Sequence, residues 1–309
     1  MTNHKTITIC GSGLMGSGIS ILFAVNKYKV KIYAIDETEE QVKSKLKTKL
    51  EILYKKGIMN NAPIELVLNN IHVTDQLYEA TEATEVVIEC IPEDLELKQN
   101  LIQVLDTICG PEVILASNTS VLSITEIAAT SKHKDRIVGT HFWNPPYLIP
   151  LVEVVKTNET SEETMDRIIS ILEAINKRPI RVNKDVPGFV ANRLQHALWR
   201  EAISIVENGI ADAKTVDEAI KYSFGQRLSI LGPLENADMV GTDLTLAIHN
   251  YIFKYLEDTK EPSQILIEMA MSNEKGFKTQ KGFYQWDENK IQDIENKLLD
   301  HLIKINYEY

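Results

Sequence analysis

No stretch of this 309-residue chain strings together the ~18 apolar residues that a membrane-crossing helix needs. A basic-then-apolar leader is missing too: Met1 to Lys5 is polar and runs straight into a strand-like stretch, unlike a signal peptide. Cysteine is scarce. Cys10, Cys90 and Cys109 are too few for a disulfide framework, and Cys10 and Cys90 end apolar runs as core residues do. Positive charge is in deficit: 33 lysines and arginines against 44 aspartates and glutamates leave a net charge of −11. An acidic surface repels nucleic-acid phosphates. These absences point to a soluble cytoplasmic protein with neither a membrane nor a nucleic-acid partner, and no residues are assigned to a metal. What is present is globular: 44% apolar and 25% charged residues, in a length that suits two domains at about 100–200 residues each.

The first half alternates short apolar runs with helical stretches. Residues 6–10, 30–33, 85–90, 113–116 and 137–140 read as strands, and residues 15–26 and 96–108 as helices. Between them Val42, Leu46, Leu50 and Leu53 step at helical spacing. Apolar strands between helices predict an α/β fold, a mostly parallel doubly wound sheet with helices on both faces. After Asp185 the texture changes. Val186-Pro187-Gly188 is a breaker cluster. Beyond it Val190, Leu194, Leu198, Ala202 and Ile205 mark one face of a long helix ended by Gly209, and the remainder is helical. The expected division is a nucleotide-binding domain over residues 1–185 and an all-α domain over 186–309. The last stretch, 287–309, reads as a polar helix with Ile291, Ile294, Leu298 and Leu299 on its apolar side.

Gly11-Ser12-Gly13-Leu14-Met15-Gly16 fits G-x-G-x-x-G directly after a strand and opening a helix. In a dinucleotide site Gly11 permits the tight turn, Gly13 lets a pyrophosphate approach the backbone, and Gly16 lets the helix pack on the strand. The helix N-terminus then offers unpaired N–H groups to the phosphates. The second strand should lead to an acid that binds the adenosine ribose, and Asp36 is the candidate; a solvated loop acid is the plainer reading. No arginine lies nearby to take a 2′-phosphate, so NAD is expected rather than NADP.

A sharper signal follows. His141 lies at the end of one apolar strand, twelve residues before Glu153 inside Leu151-Val152-Glu153-Val154-Val155. A carboxylate in such a run is turned away from its neighbours or is buried with a partner. Paired with His141 it makes a general base: the carboxylate fixes the tautomer, and the other ring nitrogen takes a proton. By spacing alone a satisfied core histidine fits as well.

These residues resemble the L-3-hydroxyacyl-CoA dehydrogenase family. The matching segments, in order, are the glycine loop, Ile91-Pro92-Glu93-Asp94-Leu95-Glu96-Leu97-Lys98, Ser117-Asn118-Thr119-Ser120 and His141-Phe142-Trp143-Asn144-Pro145. Asp185-Val186-Pro187-Gly188-Phe189 with Asn192-Arg193, Gly232-Pro233-Leu234-Glu235, and Lys278-Thr279 before Gly282-Phe283-Tyr284 complete the set. The resemblance implies a Rossmann-type domain, a helical domain that forms a homodimer, a site between the two, and a place in fatty-acid metabolism. It implies that His141 removes the hydroxyl proton as hydride leaves C3, that Glu153 holds and polarises His141, and that Ser120 and Asn192 bond the reacting oxygen or its neighbours. It implies that Glu93, Lys98, Ser120, Asn144 and Lys278 contact NAD. Four of these residues have a plainer reading: Ser120 and Asn144 as turn formers, Asn192 as a local backbone partner, Lys278 as a surface lysine.

The chain departs from the family in places. Counted without gaps from the glycine loop, the ribose-binding acid of the family falls on Ala34 rather than Asp36. The usual Gly-Glu before Gly-Phe-Tyr is Gln280-Lys281. Trp143, the paired prolines Pro145-Pro146 and Tyr147 resemble relatives that act on small free hydroxy acids of the carnitine, gulonate or pyridine-derived type, as does the extension of about 25 residues past Tyr284. Against this, Lys43, Lys45, Lys47, Lys49, Lys55 and Lys56 crowd the helix whose counterpart contacts CoA phosphates in the family, and Lys55 and Lys56 are the candidate contacts. A solvated helix face explains them equally. The expectation is NAD-dependent oxidation of a short-chain 3-hydroxyacyl-CoA. The alternatives are the same chemistry on a free 3-hydroxy acid and, from another class, a non-catalytic NAD-binding structural protein of the crystallin type.

Overall fold

Strand β1 (Thr6–Cys10), in which Ile7, Ile9 and Cys10 are fully buried, turns through the glycine loop into helix α1 (Leu14–Val25). The computed structural model describes residues 5–59 and 62–307. β2 (Lys29–Tyr33), α2 (Glu39–Lys55), α3 (Ile64–Asn69), β3 (Ile71–Thr74), α4 (Leu77–Thr81), β4 (Val86–Glu89), α5 (Leu95–Ile108), β5 (Ile114–Ser117), α6 (Ile124–Ile127) and β6 (Ile137–Phe142) follow. Then come β7 (Leu151–Val155), α7 (Glu162–Ala174) and β8 (Arg178–Val182). The eight strands form one sheet in the order β3-β2-β1-β4-β5-β6-β7-β8. All neighbours run parallel except β6 and β7, which are antiparallel.

Local sequence explains these elements. Helix α2 starts where Thr38 and Gln41 cap one another reciprocally, each side chain serving the other's backbone N–H. Its Val42, Leu46, Leu50 and Leu53 are the buried stripe that the spacing predicts. Asp94 caps α5 by accepting from the Leu97 N–H at 3.0 Å. Helices on both faces leave the central strands no wet side, so β4 and β5 are buried at every position. The sequence reading did not resolve β3, β8, α3, α4, α6 or α7. Arg178-Pro179-Ile180-Arg181-Val182 carries no apolar run because β8 is an edge strand, where Pro179 is tolerated.

The chain order reverses between β1 and β4, the point at which open α/β sheets bind ligands beyond their carboxyl ends. The glycine loop leaves β1 there, and Ile91-Pro92-Glu93 leaves β4 beside it.

The chain divides into two compact units. One holds the sheet through Asn192 and again from Leu299; the other spans Arg193–Leu298. Residues 186–192 and the end of the chain, expected in the helical domain, therefore pack with the sheet. The second unit carries most of α8 (Ala191–Glu207), then α9 (Ala213–Lys221), α10 (Pro233–Val240), α11 (Thr242–Ile252), α12 (Gln264–Met271) and the start of α13 (Glu288–Tyr307). Its apolar side chains stay largely exposed: Ile230 is 88%, Leu234 81% and Leu246 61% accessible. The α8 face marked by Leu194 and Leu198 is exposed as well. In the first unit the end of α13 is tied down by Lys56 and Asp300, 2.6 Å apart, and by the Tyr307 hydroxyl, which donates to the Tyr147 carbonyl at 2.8 Å.

Candidate active site

The three loop glycines are in distinct environments. Gly11 adopts φ +112°, and a Cβ there would lie 2.7 Å from the Cys90 carbonyl oxygen. A Cβ on Gly16 would lie 2.0 Å from the Gly11 carbonyl oxygen, so only glycine lets the helix pack this close. A Cβ on Gly13 would meet nothing within 4 Å. Gly13 precedes α1, whose first turn holds no acidic residue and no side-chain cap, so the first N–H groups are not claimed by a carboxylate. Ser12, Leu14 and Met15 complete this turn. The open space over Gly13 and the free helix end fit a pyrophosphate.

Beyond β2, Ala34 is buried, Asp36 is exposed, and Glu37 is turned back to the loop, where its Oε2 accepts from the Ser12 hydroxyl at 2.7 Å. The Lys45 amine donates to Glu37 Oε1. These hydrogen bonds, that from Lys45 foremost, hold the Glu37 carboxyl below the usual carboxylate range.

Beyond β4 lies a charged scaffold of which sequence reasoning names Glu93, Lys98 and Ser120 but not Glu89. Glu89 is fully buried; its Oε1 accepts from Lys98 Nζ at 2.6 Å, and its Oε2 accepts from the Ser117 hydroxyl at 2.6 Å. Burial raises the Glu89 pKa despite the Lys98 charge. Lys98, itself 1% exposed, reaches Glu93 at 3.3 Å. Glu93 Oε1 in turn accepts from the Thr119 hydroxyl at 2.6 Å and the Ser120 N–H at 2.9 Å. Burial works to raise the Glu93 pKa, but these bonds and the Lys98 charge outweigh it and lower it. Lys98, expected to contact NAD, is thus buried and paired with Glu89 and Glu93, and Glu93 shapes the turn that carries Ser120. A charged residue inside the apolar Glu85-Val86-Val87-Ile88-Glu89 run was the available signal for Glu89.

His141 and Glu153 stand directly opposite one another in the β6–β7 ladder, and His141 Nδ1 lies 2.8 Å from Glu153 Oε2. Glu153 Oε1 accepts from the N–H groups of Val190 at 2.9 Å and Ala191 at 3.0 Å, at the start of α8. The Trp143 indole donates to Oε2 at 3.3 Å. Burial works to raise the Glu153 pKa, but the bonds from His141, Ala191 and Val190 outweigh it, so the carboxyl is held low and ionised. A carboxylate only accepts, so Nδ1 carries the proton and Nε2 is left as an acceptor. The Phe189 ring packs 5.7 Å from the imidazole, and Asn118 Oδ1 takes the Phe142 N–H at 2.9 Å, fixing the end of β6. Neither was foreseen for these tasks.

Asn192 and Ser120 are brought together: Asn192 Nδ2 donates to the Ser120 carbonyl at 3.1 Å. Asn144 is exposed in the turn after β6, where the peptide bond to Pro145 is cis. Lys278 belongs to the second unit and is exposed in a turn before Gln280, which takes φ +59° where the family has glycine. Lys55 is exposed, and Lys56 is the partner of Asp300.

Comparison with known proteins identifies the family. Residues 6–186 match the family model of the 3-hydroxyacyl-CoA dehydrogenase NAD binding domain, and residues 188–286 that of its C-terminal domain. A probable 3-hydroxybutyryl-CoA dehydrogenase of Bacillus subtilis is 37% identical over 92% of this chain and 98% of its own length. The solved (S)-3-hydroxybutyryl-CoA dehydrogenase of Ralstonia eutropha superposes with TM-score 0.77 at 33% identity, over 93% of this chain and all of that one. An NAD+-dependent 5-formyl-3-hydroxy-2-methylpyridine 4-carboxylic acid 5-dehydrogenase superposes with TM-score 0.88 at 28% identity, over 98% of this chain and 97% of that one. With a Rossmann-type sheet, a nucleotide-binding loop and both family domains in order, the chain belongs to the 3-hydroxyacyl-CoA dehydrogenase family of NAD-dependent oxidoreductases.

Proposed function

We propose that the protein oxidises a short-chain 3-hydroxyacyl-CoA, of the 3-hydroxybutyryl type, to the 3-ketoacyl-CoA, with His141 as general base. The observation that carries this reading is the Nδ1 contact to Glu153, which leaves Nε2 free to accept the hydroxyl proton. Bound NAD supplies the hydride acceptor. Glu153 stabilises the imidazolium formed as the proton arrives, and the Val190 and Ala191 N–H groups hold that carboxylate in place. Gly11, Gly13, Gly16 and the first turn of α1 receive the pyrophosphate. Ser120 and Asn192 bond the substrate oxygens, and Glu93, Asn144 and Lys278 face the cofactor, as the family resemblance implies. Lys55 and Lys56 would hold CoA phosphates.

One observation favours a second reading, the same chemistry on a free 3-hydroxy acid. Of the lysines on α2 and its end, Lys43, Lys45, Lys47 and Lys56 each have a carboxylate of this chain within 4.0 Å. Their charge is already answered, which weakens the case for a phosphate site. Assay of 3-hydroxybutyryl-CoA beside free 3-hydroxy acids separates the two: a higher kcat/KM on the free acid replaces the acyl-CoA reading.

The exposed apolar side chains of the second unit, Ile230, Leu234 and Leu246 among them, support a homodimer, which sedimentation at assay concentration tests. No helix among the described residues is long and apolar enough to cross a membrane, and all three cysteines are unpaired; both accord with the cytoplasmic setting proposed here.

A further inference from the structure

The acid that should meet the adenosine ribose is displaced in this chain. The residue immediately after β2 is Ala34, 5% exposed, with its N–H on the Thr74 carbonyl at 3.0 Å; a methyl group there accepts nothing. Asp36 is exposed, and its carboxylate makes no hydrogen bond or ion pair among the described residues. Glu37 alone returns to the glycine loop. The Ser12 hydroxyl holds its Oε2 at 2.7 Å, and Lys45 of α2 holds its Oε1. A carboxylate has about four lone-pair directions, so two remain after these contacts. On its other side Glu37 lines a cavity of ≈ 490 Å³ beyond β2 and β3 with Asp36, Glu39, His72, Asp75 and Glu79, a space rich in carboxylates.

We propose that Glu37, held against the glycine loop by Ser12 and Lys45, accepts the hydroxyls of the adenosine ribose and is the residue that discriminates against a 2′-phosphate. The inference rests on NAD as the cofactor. A ribose diol donates two hydrogen bonds to a carboxylate placed beside the second residue of the loop, the part an aspartate at position 34 would otherwise play. A 2′-phosphate brings about two negative charges to the same place, against Glu37 and the acids around it. Lys45 orients the carboxylate and, being paired with it, is not free to serve the phosphate.

The test is titration of the full-length protein with NADH and with reduced nicotinamide mononucleotide, which lacks the adenosine ribose. Glu37→Gln should raise the Kd for NADH about tenfold to a hundredfold, as the loss of hydrogen bonds to a charged group does. It should leave the Kd for the mononucleotide within twofold and narrow the preference over NADPH. Ala34→Asp in the Glu37→Gln background should restore NADH affinity. Equal losses on NADH and the mononucleotide would mean a merely structural role and overturn the proposal. So would an unchanged Kd for NADH, or a larger loss in Asp36→Asn than in Glu37→Gln. A wild-type chain that binds no NADH would overturn the cofactor reading and this inference together.

Discussion

His141 and Glu153 are register partners on adjacent antiparallel strands, so their side chains leave the same face of the sheet and meet at 2.8 Å. The antiparallel pairing of β6 and β7 therefore sets this contact. The two strands are joined by residues 143–150 alone, shorter than the dozen or more residues that a parallel crossover needs. His141→Gln should lower kcat by about 10²–10⁴-fold and leave NADH affinity largely intact, because the base acts on the proton in flight and not on the nucleotide. Glu153→Gln should lower kcat by a similar or smaller factor. Steady-state rates with an NADH titration check both, and near-normal kcat in His141→Gln would remove the dyad from the mechanism.

Gly13 and Gly16 should answer alanine in opposite ways. A methyl on Gly16 meets the Gly11 carbonyl at 2.0 Å and forces the loop and helix apart, at a cost of about 1–3 kcal/mol or more. A methyl on Gly13 meets no protein atom, so stability should change by about 1 kcal/mol at most, the difference between glycine and alanine as a helix cap. Its effect should appear instead as weakened NADH binding. Thermal melts and binding titrations on the two variants separate the roles; a destabilised Gly13→Ala that binds NADH normally would reverse them.

NAD should be strongly preferred over NADP. Asp36, Glu37, Glu39, Asp75 and Glu79 line one cavity beyond β2 and β3 and would repel a 2′-phosphate. Comparable kcat/KM on the two cofactors would contradict this electrostatic account.

The paired charge reversal Lys55→Glu with Lys56→Glu should raise KM for an acyl-CoA, more at low salt than at high salt, if CoA phosphates rest there. Lys56 already faces Asp300 on α13, so the reversal also sets two carboxylates against each other. The surface pair it replaces contributes only about 0–1 kcal/mol, and the melting temperature should fall slightly. If activity on a free hydroxy acid is untouched and no CoA ester turns over in the wild type, these lysines are solvated surface.

Asp106 and Arg136 form a buried pair at 2.9 Å, each 4% exposed at the side chain, and Asp106 also takes the N–H groups of Lys132 and His133. Burial works to raise the Asp106 pKa, but Arg136 and the two N–H groups outweigh it, so the folded-state value lies below the unfolded one. A carboxyl depressed on folding contributes stability above its unfolded pKa of about 3.9 and loses it as pH falls through the lower folded value. Asp106→Asn should cost about 3–5 kcal/mol at pH 7, leaving Arg136 buried without its anion. The gap from wild type should shrink below pH ~4. Urea melts at pH 7 and pH 3 check the sign, and a gap that widens in acid would refute it.

The one-dimensional pattern determined most of the sheet and the chemistry of its ends. Val42, Leu46, Leu50 and Leu53 announce α2 because burial of one helical stripe needs that period, and all four are buried. The glycine loop is legible because each glycine answers a steric demand, and the three environments match the three demands. His141 and Glu153 are legible as a pair because a charged side chain in an apolar strand needs a partner. What only the tertiary structure decided is which polar groups meet across distant sequence. Hydrogen-bond partners from other elements leave no periodic trace, so nothing in the sequence shows Glu89 reaching Lys98 and Ser117, or Val190 and Ala191 bonding to Glu153. The same holds for Glu37: Asp36 and Glu37 are adjacent acids in the chain, and only the path of the backbone after β2 turns one of them to Ser12 and leaves the other in solvent.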